Sequence, residues 1–281
     1  MDMMSVLRGK VTFITGSEKN AGKTTFLNYA LARLRGARPV AYMTIGVDGE
    51  ETDLVFGNPK PRITAVPGDI IASTDRLFSR SDGEFEYLDV FPFSTPLGRM
   101  CLARAMRPCH VEIAGPDTND QLSVLIAAAE SRGARTCLVD GAVNRVTQAA
   151  SRGDAGFVFV ASVRRQSFNS DMDAIRLMLD YDYVPRYDGK TGAFRVQGAL
   201  TEARAAAIPK DAEAVVLEDF TKNFLSLQAW TRFRRQRRVE FEHVVPLRFV
   251  HAVLYDVSAE EIAPLVSSGR VLPNIYEGAS V

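Results

Sequence analysis

VTFITGSEKNAGKTTFL, residues 11–27, is the stretch whose reading decides the fold. An apolar run, Val11, Phe13 and Ile14, breaks at Gly16, and an amphipathic pattern, Phe26, Leu27, Ala30, Leu31 and Leu34, begins after Lys23. That is the pattern of a buried strand, a polar turn and a helix. Such a turn holds phosphate when glycines let backbone N–H groups converge, the helix N-terminus adds partial positive charge, and a lysine reaches the outer phosphates. Lys23 is placed for that last role. Thr24 stands where a hydroxyl coordinates Mg²⁺, a hard cation that takes oxygen ligands. Thr25 and Phe26 start the helix body. The candidate nucleotide cradle is therefore Gly16, Ser17, Lys19, Asn20, Ala21, Gly22, Lys23, Thr24 and Thr25. The usual loop has a glycine five residues before its Gly-Lys pair. Here that position is Ser17 and the glycine, Gly16, comes one residue earlier, so the loop is a variant.

The spelling GSEKNAGKTT resembles the phosphate loops of the dethiobiotin synthetase and cobyrinic acid synthase group. That group belongs to the P-loop class that also holds MinD-type ATPases and metallochaperone GTPases. The resemblance implies a P-loop NTPase fold: a mostly parallel sheet with helices on both faces.

At 281 residues, 46% hydrophobic and 24% charged, the chain can bury a full core without disulfides. One domain over residues 1–281 is expected, with an insertion at 67–107 and a basic, capping C-terminal region at 226–281. Lysine plus arginine equals aspartate plus glutamate, 34 each, so no global field draws in nucleic acid or an anionic membrane. Cys101, Cys109 and Cys137 form no Cys-x-x-Cys pair, and an odd count suits a reducing compartment. Cys109 beside His110 is a candidate metal pair, but no second cluster at ligand spacing joins it. No apolar stretch is long enough to span a bilayer and the N-terminus lacks a cleavable signal pattern, so a cytoplasmic protein is expected.

Residues 40–45 read as the second strand, followed by the polar run GVDGEETD at 46–53. In an open α/β sheet ligands gather beyond the carboxyl ends of strands, which puts this acidic loop near the phosphates. Asp48 is the candidate to hold a metal-bound water or orient the attacking one, with Glu51 and Asp53 as weaker candidates. The plainer alternative is a solvated acidic turn. Residues 46–61 are expected to act as a switch ordered by the terminal phosphate. A loop at Asn58, Pro59 and Pro61 then leads to a strand at 62–66. Between 67 and 107 a strand at 85–91 should stop at a loop broken by Pro92 and Pro96. A short strand at 111–114 precedes a helix at 119–132, capped by Asp117 or Thr118, with Leu122, Leu125, Ile126 and Ala129 inward.

TCLVDGAVNR, residues 136–145, is the second constellation. Cys137, Leu138 and Val139 make a buried strand ending on Asp140, and a carboxylate there is what a P-loop fold uses to hold Mg²⁺. Thr24, Asp48 and Asp140 are thus the candidate metal set, and Lys23, Asp48 and Asp140 the candidate catalytic set. Gly141 would let the backbone approach the terminal phosphate. Asn144 and Arg145 are candidates for phosphate or partner contact, with a capped turn as the alternative.

Strands at 157–161, 192–196 and 214–217 alternate with helices at 170–181 and from Thr201 to Ala207, which argues for a parallel α/β sheet. Thr221-Lys222 resembles the base-reading loop of GTPases, but Asn223 and Phe224 follow instead of the guanine-bonding aspartate, so ATP is expected over GTP. Arg232, Arg234, Arg235, Arg237 and Arg238, interleaved with Trp230 and Phe233, admit a nucleic-acid surface. A solvated helix face is the better reading because no nucleic-acid motif accompanies them. A strand at 251–257, a helix from Ser258 to Val266 and an extended piece at 271–276 complete the chain.

Several stretches together, GSEKNAGKTT, TIGVDGEETDLVFGNPKPRI, AGPDTNDQL, LVDGAVNR and LEDFTKNFLS, resemble one narrower family. This is the P-loop subunit of reactivases for adenosylcobalamin-dependent lysine and ornithine aminomutases. The resemblance implies ATP and Mg²⁺ as cofactors and Lys23, Thr24, Asp48 and Asp140 as matching positions. It also implies two partners, a MutS-like ATPase subunit and the aminomutase, which is freed of spent cobalamin. Rival readings are an ATP-dependent ligase of the dethiobiotin synthetase or cobyrinate type, and a scaffold that binds nucleotide without turnover. MinD-type ATPases send an extra loop lysine across a homodimer interface from five residues before the phosphate lysine. Lys19 lies four before Lys23, so a cross-subunit role stays open.

Overall fold

The computed structural model describes residues 3–36, 39–45, 62–141, 155–189 and 192–276. Its contacts divide the chain into two compact units. The first comprises residues 1–16, 22–145 and 154–156; the second comprises 17–21, 146–153 and 157–281.

In the first unit a 3-10 turn (Met3–Leu7) precedes β1 (Val11–Gly16), α1 (Lys23–Leu34), β2 (Val40–Thr44), β3 (Ile63–Ala65), β4 (Ile70–Thr74), α2 (Asp75–Arg80), β5 (Phe85–Thr95), β6 (Gly98–Ala105), β7 (Cys109–Val111), α3 (Asn119–Ser131) and β8 (Thr136–Asp140). Its main strands lie in the order β1, β8, β2, β4, β6, β5. The pairings from β1 to β4 are parallel, and those of β4 with β6 and β6 with β5 are antiparallel. Parallel strands covered on both faces read as continuous apolar runs. Accordingly β1, β2 and β8 are buried at every position but the last. The stripe Phe26, Leu27, Ala30, Leu31 and Leu34 is buried as expected, and α1 packs on β1 and β8. Thr118 caps α3, its hydroxyl accepting the Gln121 N–H at 3.3 Å, while Leu122, Leu125, Ile126 and Ala129 turn inward.

Two local expectations are corrected. The first is the stop at Pro92, which β5 passes through to reach Thr95. The strand ends the strand order, and its register against β6 shifts between Val90 and Ser94, where a residue without an N–H costs no ladder bond. The second is the strand at 111–114, which instead spans Cys109–Val111 and pairs antiparallel with β3. Beyond it the Ser73 hydroxyl donates to the Glu112 carbonyl and accepts the Ala114 N–H, both at 3.1 Å. A Cβ on Gly115 would lie 2.0 Å from the Thr44 carbonyl oxygen, so this backbone approach excludes any side chain.

The second unit continues with β9 (Ala155–Arg164), α4 (Phe168–Tyr181), β10 (Ala193–Arg195), α5 (Glu202–Ala207), β11 (Ala214–Leu217), α6 (Leu227–Gln236), β12 (Arg238–Phe241), β13 (Leu247–Tyr255), α7 (Ala263–Val266) and β14 (Val271–Pro273). Here β13 lies between β9 and β14, and β11 between β10 and β12, all in parallel. The chain is thus α/β and mostly parallel. β12 starts at Arg238, inside the stretch read as a basic run, and β13 starts at Leu247 rather than His251. Ser258 opens a 3-10 turn, Glu260–Ile262, before the short α7. Its backbone N–H donates to Glu261 Oε2 at 3.0 Å. No helix among the described residues is long and apolar enough to cross a membrane.

His251 in β13 is fully buried, with Nδ1 3.2 Å from the Leu272 carbonyl oxygen. Burial pushes its imidazole down to about 4 from an ordinary 6.5. The unfolded chain therefore takes up a proton that the folded chain refuses between those two values, so stability rises with pH through that window. Above it the effect is complete and constant. Below it roughly 3 kcal/mol is lost. Urea titrations across this range should show that slope in the natural chain and a shallower one in His251→Leu. Equal slopes would exclude His251 as the cause.

Candidate functional site

The site is built at the carboxyl ends of three neighbouring strands of the first unit. Asp140, the last residue of β8, stands opposite Ile14 of β1 and Thr44 of β2. Its backbone is pinned from both sides. The Asp140 carbonyl accepts the Thr44 hydroxyl at 2.9 Å and the Ile45 N–H at 3.1 Å, and the Gly141 N–H donates to the Ile14 carbonyl at 3.1 Å. The carboxylate is half-buried at the end of the strand beside β1. Gly141 was expected to make room for phosphate. A Cβ there would meet Ile45 Cγ2 at 2.5 Å, so packing beyond β2 already demands a glycine.

After β1 the chain reaches α1 through two left-handed residues, Asn20 at φ 65° and Gly22 at φ 94°. Asparagine tolerates that region better than other side chains, and glycine adopts it freely. Gly22 is the N-cap of α1, supplies no side-chain cap, and has its carbonyl bonded to the Phe26 N–H at 2.9 Å. The backbone amides of Lys23, Thr24 and Thr25 are first-turn groups, which have no acceptor within their own helix. Lys23 is the first helical residue. Lys23 and Thr24 are half-buried and Thr25 is exposed. Ala21 is wholly buried and Gly16 partly so.

Within the second unit, residues 17–21 are sewn to the end of β9. The Ser17 N–H donates to the Val160 carbonyl at 2.9 Å, and the Ser17 hydroxyl accepts the Ser162 N–H at 3.2 Å. A glycine at position 17 could not make that second bond, which gives the variant loop a physical reason. Glu18 forms an ion pair with Arg164, whose guanidinium also lies 5.0 Å from the centre of the Tyr255 ring. The Glu18 hydrogen bond pushes the Arg164 pKa up. The Arg164 N–H is in turn held by Asp171 Oδ2 at 2.9 Å. Ser162 and Arg164 were not foreseen, because nothing in VASVRRQS separates a loop anchor from an ordinary strand end. Lys19 and Asn20 are exposed.

Asp48, Glu51, Asp53, Asn144 and Arg145 lie outside the described residues, as does the expected switch at 46–61. Of the candidate metal set, Thr24 and Asp140 are described, and their hydroxyl and carboxylate oxygens are donors that suit Mg²⁺. Among the described residues no group of three or more His, Cys, Asp or Glu side chains is placed to hold a metal ion. The three cysteines are free and buried, and burial pushes the Cys109 thiol up, away from the thiolate a metal requires.

The basic run is largely absorbed by the fold. Arg234 donates to Asp180 Oδ2 at 2.6 Å, Arg237 to the carbonyls of Ile208 and Pro209, and Arg238 pairs with Glu240 at 2.5 Å. Polar groups of the loop resembling a base reader are likewise bonded within the fold. Asp219 Oδ1 accepts the Thr221 N–H at 2.7 Å, and Asn223 donates to the Tyr181 hydroxyl at 2.7 Å.

No family model matches the chain, and neither the curated proteins nor the solved structures contain a match.

Proposed function

We propose that the chain binds a nucleoside triphosphate with Mg²⁺ between the start of α1 and the end of β8, and couples its hydrolysis to work on a partner protein. The carrying observation is one juxtaposition: Lys23 opens α1 directly after left-handed Gly22, and Asp140 ends the strand beside β1. First-turn amides and a lysine suit phosphate oxygens, and a threonine hydroxyl with an aspartate suits the metal. When bound, the metal neutralises charge developing on the transferred phosphoryl group. In this reading the described residues position phosphate and metal, and the free energy of hydrolysis is available as a shift between two states of the protein.

By resemblance the partners are a MutS-like ATPase and an adenosylcobalamin-dependent aminomutase, and the nucleotide is ATP. The isolated chain should hydrolyse ATP slowly and be stimulated by both partners. The test is recovery of an inactivated aminomutase given fresh adenosylcobalamin and ATP, comparing the natural chain with Asp140→Ala. Recovery should fail with the variant. Equal recovery with both chains, or rapid partner-free turnover with a small carboxylate or diamine, would discard this reading and favour the ligase.

A further inference from the structure

Asn28 stands in the middle of α1, where asparagine is among the poorer helix formers because its side chain competes for nearby backbone groups. Here its amide serves another element. Nδ2 donates to the Arg62 carbonyl at 3.1 Å, and Oδ1 accepts the Thr64 N–H at 3.0 Å. One side chain thus bonds the backbone on both sides of Ile63, as a neighbouring strand would. The other edge of β3 is paired with β7.

Arg35, at the end of α1, takes the next group along. Its Nη2 donates to the Thr64 carbonyl at 2.5 Å, and its guanidinium pairs at 2.6 Å with the buried Asp69. Both backbone groups of Thr64 are therefore held by α1 side chains. Thr24, Asn28, Leu31 and Arg35 follow the alternation of four and three residues that lines up one edge of a helix. The edge that starts at Thr24 is the edge fastened to β3 one turn later.

The buried stripe of α1 holds the helix down, but apolar burial is non-directional. Hydrogen bonds weaken steeply with angle, so the two made by Asn28 add a constraint on rotation of α1 about its own axis. A hydroxyl on the same edge, one turn away, is aimed by that rotation. Misplacement of a reacting or coordinating group by about 1 Å is costly even when its cause lies elsewhere.

We propose that Asn28 is a positioning residue for the metal: by locking its edge of α1 onto β3, it sets the aim of the Thr24 hydroxyl. This rests on the nucleotide reading, in which Thr24 coordinates Mg²⁺. The test is calorimetry of the whole chain with ATP, once with Mg²⁺ and once with the metal chelated. Asn28→Ala should reduce the gain in affinity that Mg²⁺ brings by about three- to tenfold, the worth of roughly one net hydrogen bond. Affinity without metal should stay within about twofold, because Lys23 and the first-turn amides are untouched. Should Asn28→Ala fail to fold, Asn28→Asp keeps the acceptor for the Thr64 N–H, removes the donor to Arg62, and should show the same selective loss. Coupling between two sites is reciprocal, so adding Mg²⁺ to the ATP-bound natural chain should slow hydrogen exchange at the Thr64 amide. A gain from Mg²⁺ that neither folded variant reduces would overturn the inference and leave the nucleotide site standing. So would a loss that is equal with and without metal, or exchange at Thr64 that Mg²⁺ does not slow. A natural chain whose ATP affinity ignores Mg²⁺ would overturn the nucleotide reading and this inference with it.

Discussion

Lys23→Ala should lower affinity for Mg·ATP by about a hundredfold or more while leaving the thermal midpoint within a few degrees of the natural chain. The ammonium group belongs to the first residue of α1, where first-turn amides already favour an anion. Hydrogen bonds to charged groups contribute roughly 1.5–3 kcal/mol each, and a triphosphate engages a loop lysine through more than one oxygen. A hundredfold loss corresponds to about 2.7 kcal/mol. The stability should survive because the core of α1 is carried by Phe26, Leu27, Ala30, Leu31 and Leu34, all buried, whereas Lys23 is only half-buried. Calorimetry with ATP, ADP and GTP on both chains checks this. Undiminished affinity in the variant would remove the nucleotide from this loop, and a preference for GTP would revise the base.

Trp230→Ala should cost about 3–5 kcal/mol of stability, the range for truncating a large buried aromatic ring. Trp230 is the only tryptophan in the sequence and is 0% exposed. Its ring lies 5.4 Å edge-on from Tyr181 and 6.5 Å, nearly parallel, from Phe241, so it joins α4, α6 and β12. Its Nε1 donates to Asp180 Oδ2 at 2.6 Å, the same oxygen that accepts from Arg234. Alanine removes both the packing and one of the donors that hold Asp180. Trp230→Phe keeps most of the ring and should cost less, mainly the hydrogen bond, about 1–2 kcal/mol. Urea unfolding followed by circular dichroism separates the two variants, because their tryptophan fluorescence is lost. A cost below about 1 kcal/mol for alanine would show that the ring does not hold these elements together.

The fold also specifies what the arginine run, read in the sequence as a solvated helix face rather than a nucleic-acid surface, is bonded to. In sequence Arg234, Arg237 and Arg238 are a block of charge. In the fold Arg234 faces Asp180 and Arg237 the carbonyls of Ile208 and Pro209, all from other segments, while Arg238 pairs with Glu240 of its own strand. The partners of Arg234 and Arg237 lie 54 and 28 residues away along the chain, and no local pattern announces them.

What the sequence determined by itself is the set of elements whose signal is local. Strand β1, the stripe of α1, a cap for α3 at Asp117 or Thr118, and β8 ending on Asp140 follow from apolar period and cap chemistry, which act within a few residues. The mostly parallel α/β class follows from their alternation. Tertiary structure alone decided the rest. It let β5 run past Pro92 because that strand ends the strand order, and it paired β3 with β7 across more than forty residues. It made Ser17 an anchor for Ser162, and it gave Gly115 and Gly141 their reasons in Thr44 and Ile45. Strand order, close backbone approach and side-chain partners depend on which distant segments meet, and packing of the whole core, not the period of any one segment, settles that.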